Sequence, residues 1–337
     1  MDDNENPASK LASQADALPF DLGRVKTRSL DGRPSIVEIS RFGSVPDVAP
    51  DGSLDVGVLL DSLPDFLAAR NLRALAGHVA RAHHDGRHLA IAMGGHVVKT
   101  GCGPTIIDLM EKTIVTSLHM AGSTAIHDWE IARAGHTSED VAAGLGGGAY
   151  GMSDETGHAF AEAAARSRSE GIGFGRALGL GLLESGAPHA RLSMLARAAE
   201  IGLPCTVHVA LGTDTVHMHP ATVGADTGAA TQTDFQIACT VVSRLDHGVW
   251  LNIGSAVIMP EVFLKAISVA RNTGHPVENL TTANFDMLRH YRPLTNVVKR
   301  PPERGWDFAG HHEIMIPLLR VAILHALAKT ATEGGAA

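Results

Sequence analysis

The sequence predicts an α/β protein built on a mostly parallel, Rossmann-like sheet with helices on both faces. Two features of the chain carry this expectation. From Leu54 onward, short apolar runs alternate with longer amphipathic segments, and strand–helix alternation implies parallel strands joined by crossover helices. The apolar runs also end in small residues, at the strand ends where open α/β sheets bind ligands. With 45% hydrophobic and 19% charged residues among 337, the chain can bury a sizeable core.

The elements follow in order. His88–Met93 reads as a strand ending in Gly94-Gly95. Pro104–Lys112 reads as a helix, because proline suits a first helical turn. Thr113–Met120 is a strand followed by Ala121-Gly122, and Thr124–Ala134 a helix closed by Gly135. Cys205–Ala210 is a strand before Gly212, and Thr233–Leu245 a helix. Gly248–Ile253 is a strand before Gly254-Ser255-Ala256, and Pro260–Asn272 a helix. Glu278–Thr282 is the last expected strand and His312–Lys329 the last helix. Glycines crowd the segment 144–186, which is expected to form an insertion outside the sheet, with loops and two helices. Residues 1–19 are expected to be a flexible tail and 20–330 one α/β domain.

Composition excludes several classes. Acidic residues number 36 and basic residues 28, a formal charge of −8, with no long basic stripe. With 9 Phe, 3 Trp and 2 Tyr as well, a nucleic-acid groove is not expected. Three dispersed cysteines, Cys102, Cys205 and Cys239, oppose a disulfide framework or a cysteine zinc site and point to a reducing cytoplasm. Residues 1–17 lack an apolar signal core. Ile314–Ala328 is broken by Arg320 and His325, so it reads as a buried helix and not a membrane span.

Several motifs bear on chemistry. Gly144-Leu-Gly146-Gly-Gly-Ala149 matches a dinucleotide fingerprint in letters, but a helix precedes it where the mechanism needs a strand, so it reads as a loop. In His217-Met218-His219 an extended backbone would aim both imidazoles to one side, as two metal ligands require. Chance pairs are expected among 19 histidines, and His219 as a base is favoured over a metal site. His127-Asp128-Trp129-Glu130 lies at the start of a helix at the ligand edge, where carboxylates either complement the helix N-terminus or bind a cation or orient a base. A Schiff-base mechanism needs a lysine of lowered pKa, and Lys99 and Lys299, in loops between elements, are the candidates.

The order of these features resembles deoxyhypusine synthase over roughly Leu54–Leu327. Gly95 to Gly101 resembles the family segment ending in Ser-Ser-Gly, and Leu118 to Gly122 with His127-Asp128 its Thr-Thr-Ala-Gly-Gly and Glu-Glu-Asp. Leu203 to Asp214, continuing to His219, resembles its Thr-Asp-Gly strand and catalytic histidine. Ile253 to Ala256 stands where the family has a glycine triplet, and Thr281 to Asp286 where it has Asn-Thr-Ala and an acidic loop. Ile314 to Leu319 resembles its closing helix. The family's Ser-Trp-Gly-Lys signature is absent, and Lys299 in Val297-Val-Lys-Arg is the nearest positional candidate.

The resemblance implies a cytoplasmic NAD enzyme that abstracts hydride from a polyamine or related amine and transfers an aminobutyl-type group through a lysine imine. It implies a homotetramer with sites between subunits, no resident metal, and either a small amine or an unidentified protein lysine as acceptor. The alternatives are a homospermidine synthase-type small-amine transferase and a non-catalytic or metal-binding protein on the same scaffold. Under the main reading, His219, Lys299 and Asp128 are catalytic. Gly101, Ala121, Gly122, Thr213, Asp214, Gly254, Ser255, Thr282 and Ala283 hold NAD, and His127, Asp234 and Asp286 hold the substrate.

Overall fold

A computed structural model describes residues 21–31 and 33–334. The expected tail, 1–19, lies outside the described residues. The chain divides into two compact units, Met1–Phe42 and Gly43–Ala337. Among its described residues the first holds two 3-10 turns, Leu22–Arg24 and Ile39–Arg41, with almost every side chain exposed. The second is the α/β unit.

Its elements begin with α1 (Val56–Ser62) and α2 (Leu67–His84), then β1 (Leu89–Met93), α3 (His96–Lys99) and α4 (Gly103–Glu111). Next come β2 (Ser117–Ala121), α5 (Gly122–Ala134), α6 (Val141–Leu145), α7 (Asp154–Glu170), α8 (Phe174–Glu184) and α9 (Met194–Ile201). The chain closes with β3 (Cys205–His208), α10 (Gly224–Val242), β4 (Val249–Ile253), α11 (Ile258–Asn272), β5 (Thr281–Asp286), β6 (Arg304–Ala309) and α12 (His312–Gly334). All six strands are parallel, in the order β3-β2-β1-β4-β5-β6. The order reverses between β1 and β4, which makes the crevice beyond their carboxyl ends the ligand position of such a sheet.

Alternate strand residues reach opposite faces. Leu89, Ile91, Met93, Leu251, Ile253 and Phe285 join the core with α2, α4 and α12. Ala90, Ala92 and Trp250 pack with Val242 of α10 and Phe263, Ala266 and Ile267 of α11. Helices therefore cover both faces, as expected. The indole of Trp250 is stacked between Phe263, at 4.4 Å between centroids, and His119, at 4.9 Å.

A polar row crosses this second face, because the register places Thr206, His119, Ala92, Asn252, Asn284 and Asp307 side by side. Buried polar groups must find partners, and most of these find each other, while Asn252 Oδ1 is left without one. His119 Nδ1 lies 2.7 Å from Thr206 Oγ1, Asn252 Nδ2 donates to Asn284 Oδ1 at 2.8 Å, and Asn284 Nδ2 donates to Asp307 Oδ1 at 2.8 Å. Asn252 Nδ2 also donates to the Ser255 carbonyl, which ties the loop after β4 to the sheet.

The structure corrects several boundaries. β2 begins at Ser117, not Thr113, because Thr113 sits in a turn with φ +56°. β5 is shifted forward to Thr281–Asp286, and α10 starts at Gly224, nine positions before the expected Thr233. β6 was not expected at all: its Arg304-Gly-Trp-Asp-Phe-Ala309 is half exposed at the sheet edge and has no apolar run. The segment 144–186 supplies α7 and α8 and no strand. Gly144 and Leu145 end α6 and no strand precedes them, consistent with a loop and not a phosphate cradle.

Helix α12 is longer than expected, and His312–Thr332 meets the length and apolarity of a membrane span. It is docked on α2, burying His312, Ile316, Leu319, Ala322 and Ile323 along one stripe. Arg320 pairs with Asp108, and Lys329 with Asp61. The three cysteines are free, two of them buried.

Candidate functional site

The crevice at the carboxyl edge is assembled from loops kept small by sequence. A β-carbon on Gly94, just past β1, would overlap the carbonyl oxygen of Gly254, just past β4. Gly254 also has φ +64°, a left-handed conformation that favours glycine, and an added β-carbon there would lie 2.7 Å from His312 Cε1. Only glycines let the two loops and the His312 ring meet.

Two histidines occupy this meeting point. His96 opens α3, and His312 opens α12 after β6. Their Nδ1 atoms are 2.9 Å apart, and His312 Nε2 is 3.3 Å from the Phe285 carbonyl oxygen. His312 is buried, which lowers its pKa; the Phe285 carbonyl and the Asp286 carboxylate partly oppose that shift.

A third histidine, His127 of α5, packs its Cδ2 edge 2.9 Å from where a Gly95 side chain would stand. Its Nδ1 lies 2.7 Å from Thr137 Oγ1, which donates to Glu130 Oε2 at 2.5 Å. Because that hydroxyl hydrogen is committed to Glu130, His127 Nδ1 is the donor and Nε2 carries the lone pair. Burial, with Lys99 adding repulsion, lowers the His127 pKa to about 4. Beyond Glu130 lies a cavity of about 580 Å³ walled by Trp129, Arg133, Glu139 and Glu155. His127 thus joins the β1 loop to the wall of a cavity of ligand size. A groove of about 270 Å³, lined by His208, Val209, Phe235, Val257 and Ile258, runs between the ends of β3 and β4.

The expected site residues separate into groups. Ala121, Gly122, Thr213 and Asp214 meet at the end of β2, where the Asp214 carboxylate lies where a Gly122 side chain would be. Burial raises the Asp214 pKa, with His217 and Thr213 opposing. Gly254, Ser255 and Asp286 stand at the ends of β4 and β5, and His127 faces the same edge. Gly101 follows α3 in an exposed left-handed turn, φ +75°. Thr282 and Ala283 lie in the amino-terminal half of β5, buried, with Thr282 Oγ1 donating to the Val297 carbonyl.

Asp128 and Asp234 serve the architecture. Asp128 accepts from Ser193 Oγ and from the Met194 and Leu195 amides, which caps α9. Asp234 accepts from the Phe174 and Gly175 amides at the start of α8 and from Val207 on edge strand β3. Burial raises the first pKa to about 6 and the second to about 7.

Lys299 ends a π-helical turn, Pro293–Lys299, one residue after Val298, whose carbonyl abuts Gly305 near the start of β6. It is exposed at the amino-terminal edge of the sheet, opposite the crevice. His219 accepts from the Ala221 amide at Nδ1, and its Nε2 is 3.4 Å from Asp154. His217 lies in a 3-10 turn, its Nδ1 accepting from the Gly212 and Asp214 amides, so the two imidazoles do not form an extended pair. The residues that the sequence did not single out are His96 and His312. Their only signal was position, His96 directly after a strand-ending Gly-Gly and His312 at the start of a helix.

The six parallel strands and their switch point define the class: a Rossmann-like α/β protein with its candidate site at the carboxyl edge. No family model and no curated protein matches the chain. Among solved structures, the chain is similar to ArgZ, an arginine dihydrolase from the ornithine–ammonia cycle in cyanobacteria, at 15% identity and TM-score 0.49. The match covers 75% of this chain and 31% of that one, so the chain spans about a third of that protein's length. It is similar to AgrE in ternary complex with ornithine and NAD+ at 13% identity and TM-score 0.49, over 81% of this chain and 36% of that one. A candidate deoxyhypusine synthase from Entamoeba histolytica matches at 9% identity and TM-score 0.43, over 83% and 96%. At these values the likenesses carry no argument about chemistry, which rests on the site itself.

Proposed function

We propose that this chain is an NAD-dependent enzyme acting on an amine, in the manner of deoxyhypusine synthase, with the dinucleotide in the β1/β4 crevice and the amine in the cavity at Glu130. The observation that carries the reading is His127, which touches the switch-point loop at Gly95 and, through Thr137, the Glu130 wall of the cavity. A dinucleotide needs strand ends without bulky side chains, and β1, β2 and β4 end in Gly94, Gly95, Ala121, Gly122, Gly254 and Ser255, although the chain's own atoms stand where side chains on the four glycines would be. Bound there, NAD supplies the hydride acceptor.

The chain's own residues do the rest. Glu130, Glu139 and Glu155 outnumber the one guanidinium, Arg133, in the cavity wall, which favours an ammonium group. Lys99 sits at the end of α3, within electrostatic reach of His127, and takes the imine role expected of Lys299. Exposed Leu211, Met218, Val223, Val257, Leu288 and Ile314 all lie on or just past loops that leave the carboxyl edge. That supports closure of the site by another subunit. Calorimetric titration with NAD+, followed by a polyamine panel and borohydride trapping, tests the reading. Heat on NAD+ addition and an adduct on Lys99 are expected; no heat and no thermal shift would reject it.

A second reading is a metal protein, because single ligand atoms of Asp154, His158 and His219 lie within 4.8 Å of one another. The Ala221 amide opposes it: with Nδ1 accepting, neutral His219 carries its proton on Nε2, leaving no lone pair toward Asp154. Stoichiometric metal in the purified protein would favour this second reading.

A further inference from the structure

We propose that His96 is the proton acceptor of the crevice, using Nε2, and that His312 and the Phe285 carbonyl are the positioning groups that fix it in that form. The inference rests on the amine-enzyme reading for its substrate, but its structural basis is independent of NAD.

A carbonyl oxygen can only accept, so His312 Nε2, 3.3 Å from Phe285 O, bears a hydrogen. A neutral imidazole then has its lone pair on Nδ1, and burial keeps His312 neutral. His96 Nδ1, 2.9 Å away, must therefore donate. That leaves the lone pair of His96 on Nε2, which has no partner among the described residues, on a half-buried ring beside the Gly95 turn. His312 has no such freedom: its ring lies over Gly254, and both its nitrogens are engaged.

The step is a proton transfer. An N–H bond of a substrate amine that reaches from the cavity into the crevice breaks, and a His96 Nε2–H bond forms. The resulting imidazolium keeps its Nδ1–H donated to His312 Nδ1, so the charge gains a hydrogen-bond acceptor without any heavy atom moving. Facing the pair are Asp286 from the end of β5 and Glu313 from α12, both of which favour positive charge on His312. Lys99 on α3 and His127 on α5 lie beside the same loop. His127 also holds its lone pair on Nε2, but its depressed pKa makes it a poor proton acceptor near neutrality. The arrangement orders a base as a carboxylate orders the histidine of a hydrolase triad, with an imidazole in the carboxylate's place.

Histidine-selective ¹⁵N NMR of the whole protein reads both tautomers directly. We expect Nε2–H on His312 and Nδ1–H on His96. His312→Leu removes the acceptor and should admit the Nε2–H tautomer of His96, and His312→Gln, which can accept at that place, should partly restore Nδ1–H. His96→Gln should lower kcat about 100-fold or more. A proton on His96 Nε2 in the free protein at neutral pH, or full turnover by His96→Gln, would overturn the inference even if NAD binds. The expected tautomers in a protein that binds no NAD would reject the proposed function and leave the proton-accepting site standing.

Discussion

At the scale of single residues, the strongest commitments of this chain are buried groups whose ionisation the fold opposes. Asp234 accepts three backbone amides that nothing else reaches. Asp234→Ala strands them, and at about 1–3 kcal/mol for each buried unsatisfied donor it should destabilise the protein by about 3 kcal/mol or more in urea unfolding. His119 and His208 are buried in the polar chain through Thr206, and burial lowers each pKa to about 3. The unfolded chain protonates these rings near about 6.5, so their contribution is complete above that pH and is lost as pH falls toward 3. Asp128 and Asp234 act with the opposite sign. Their raised folded pKa values make the folded state bind protons more tightly, so their contribution grows as pH falls from about 7 toward 4. Urea titrations at neutral pH and at progressively lower pH should therefore show a shallower acid loss in His119→Gln and a steeper one in Asp234→Asn. The sequence made Asp128 look catalytic and Asp234 look like a substrate ligand because it shows carboxylates near a ligand edge but not the helix termini that come to meet them.

At the scale of elements, the glycines divide by what they touch. Gly94→Ala drives a methyl into Gly254 and parts the β1 and β4 loops. Overpacking of this kind costs about 1–3 kcal/mol, and the variant should show a lower Tm and weakened NAD+ binding together. Gly181 is inside α8 with open space around its missing side chain. Gly181→Ala should instead stabilise by about 0.5–1 kcal/mol and leave binding unchanged. Opposite signs from one chemical change would separate the packed Gly94 of the crevice from the open Gly181 of α8; equal effects would remove the distinction. The strands flanking the switch point were legible because β1 and β4 are buried on both faces and read as apolar runs. Edge strand β6 was not, since a half-exposed strand carries charge and spacing that look like a loop.

At the scale of the whole molecule, the carboxyl edge shows an imbalance: apolar side chains stand exposed on its loops, including Leu211, Leu288 and Ile314. If that edge is a subunit contact, light scattering should return a mass several times that of one chain. Leu288→Lys with Leu211→Lys should reduce it and weaken turnover at the same time. A single-chain mass for the native protein would remove the shared-site assembly and leave the crevice to be completed by its own loops.

The alternation of apolar runs and amphipathic segments was enough to specify a parallel α/β sheet, because periodicity and small strand-ending residues are local properties of the chain. The crevice glycines Gly122 and Gly254 were readable for the same reason. The partners of each titratable group were not. His96 and His312 are 216 positions apart, and only strand order brings the loop after β1 and the loop after β6 to opposite sides of Gly254. Lys299 was matched by its place in the sequence, and the parallel crossover that carries it to the far edge of the sheet is a property of topology, which no local pattern encodes.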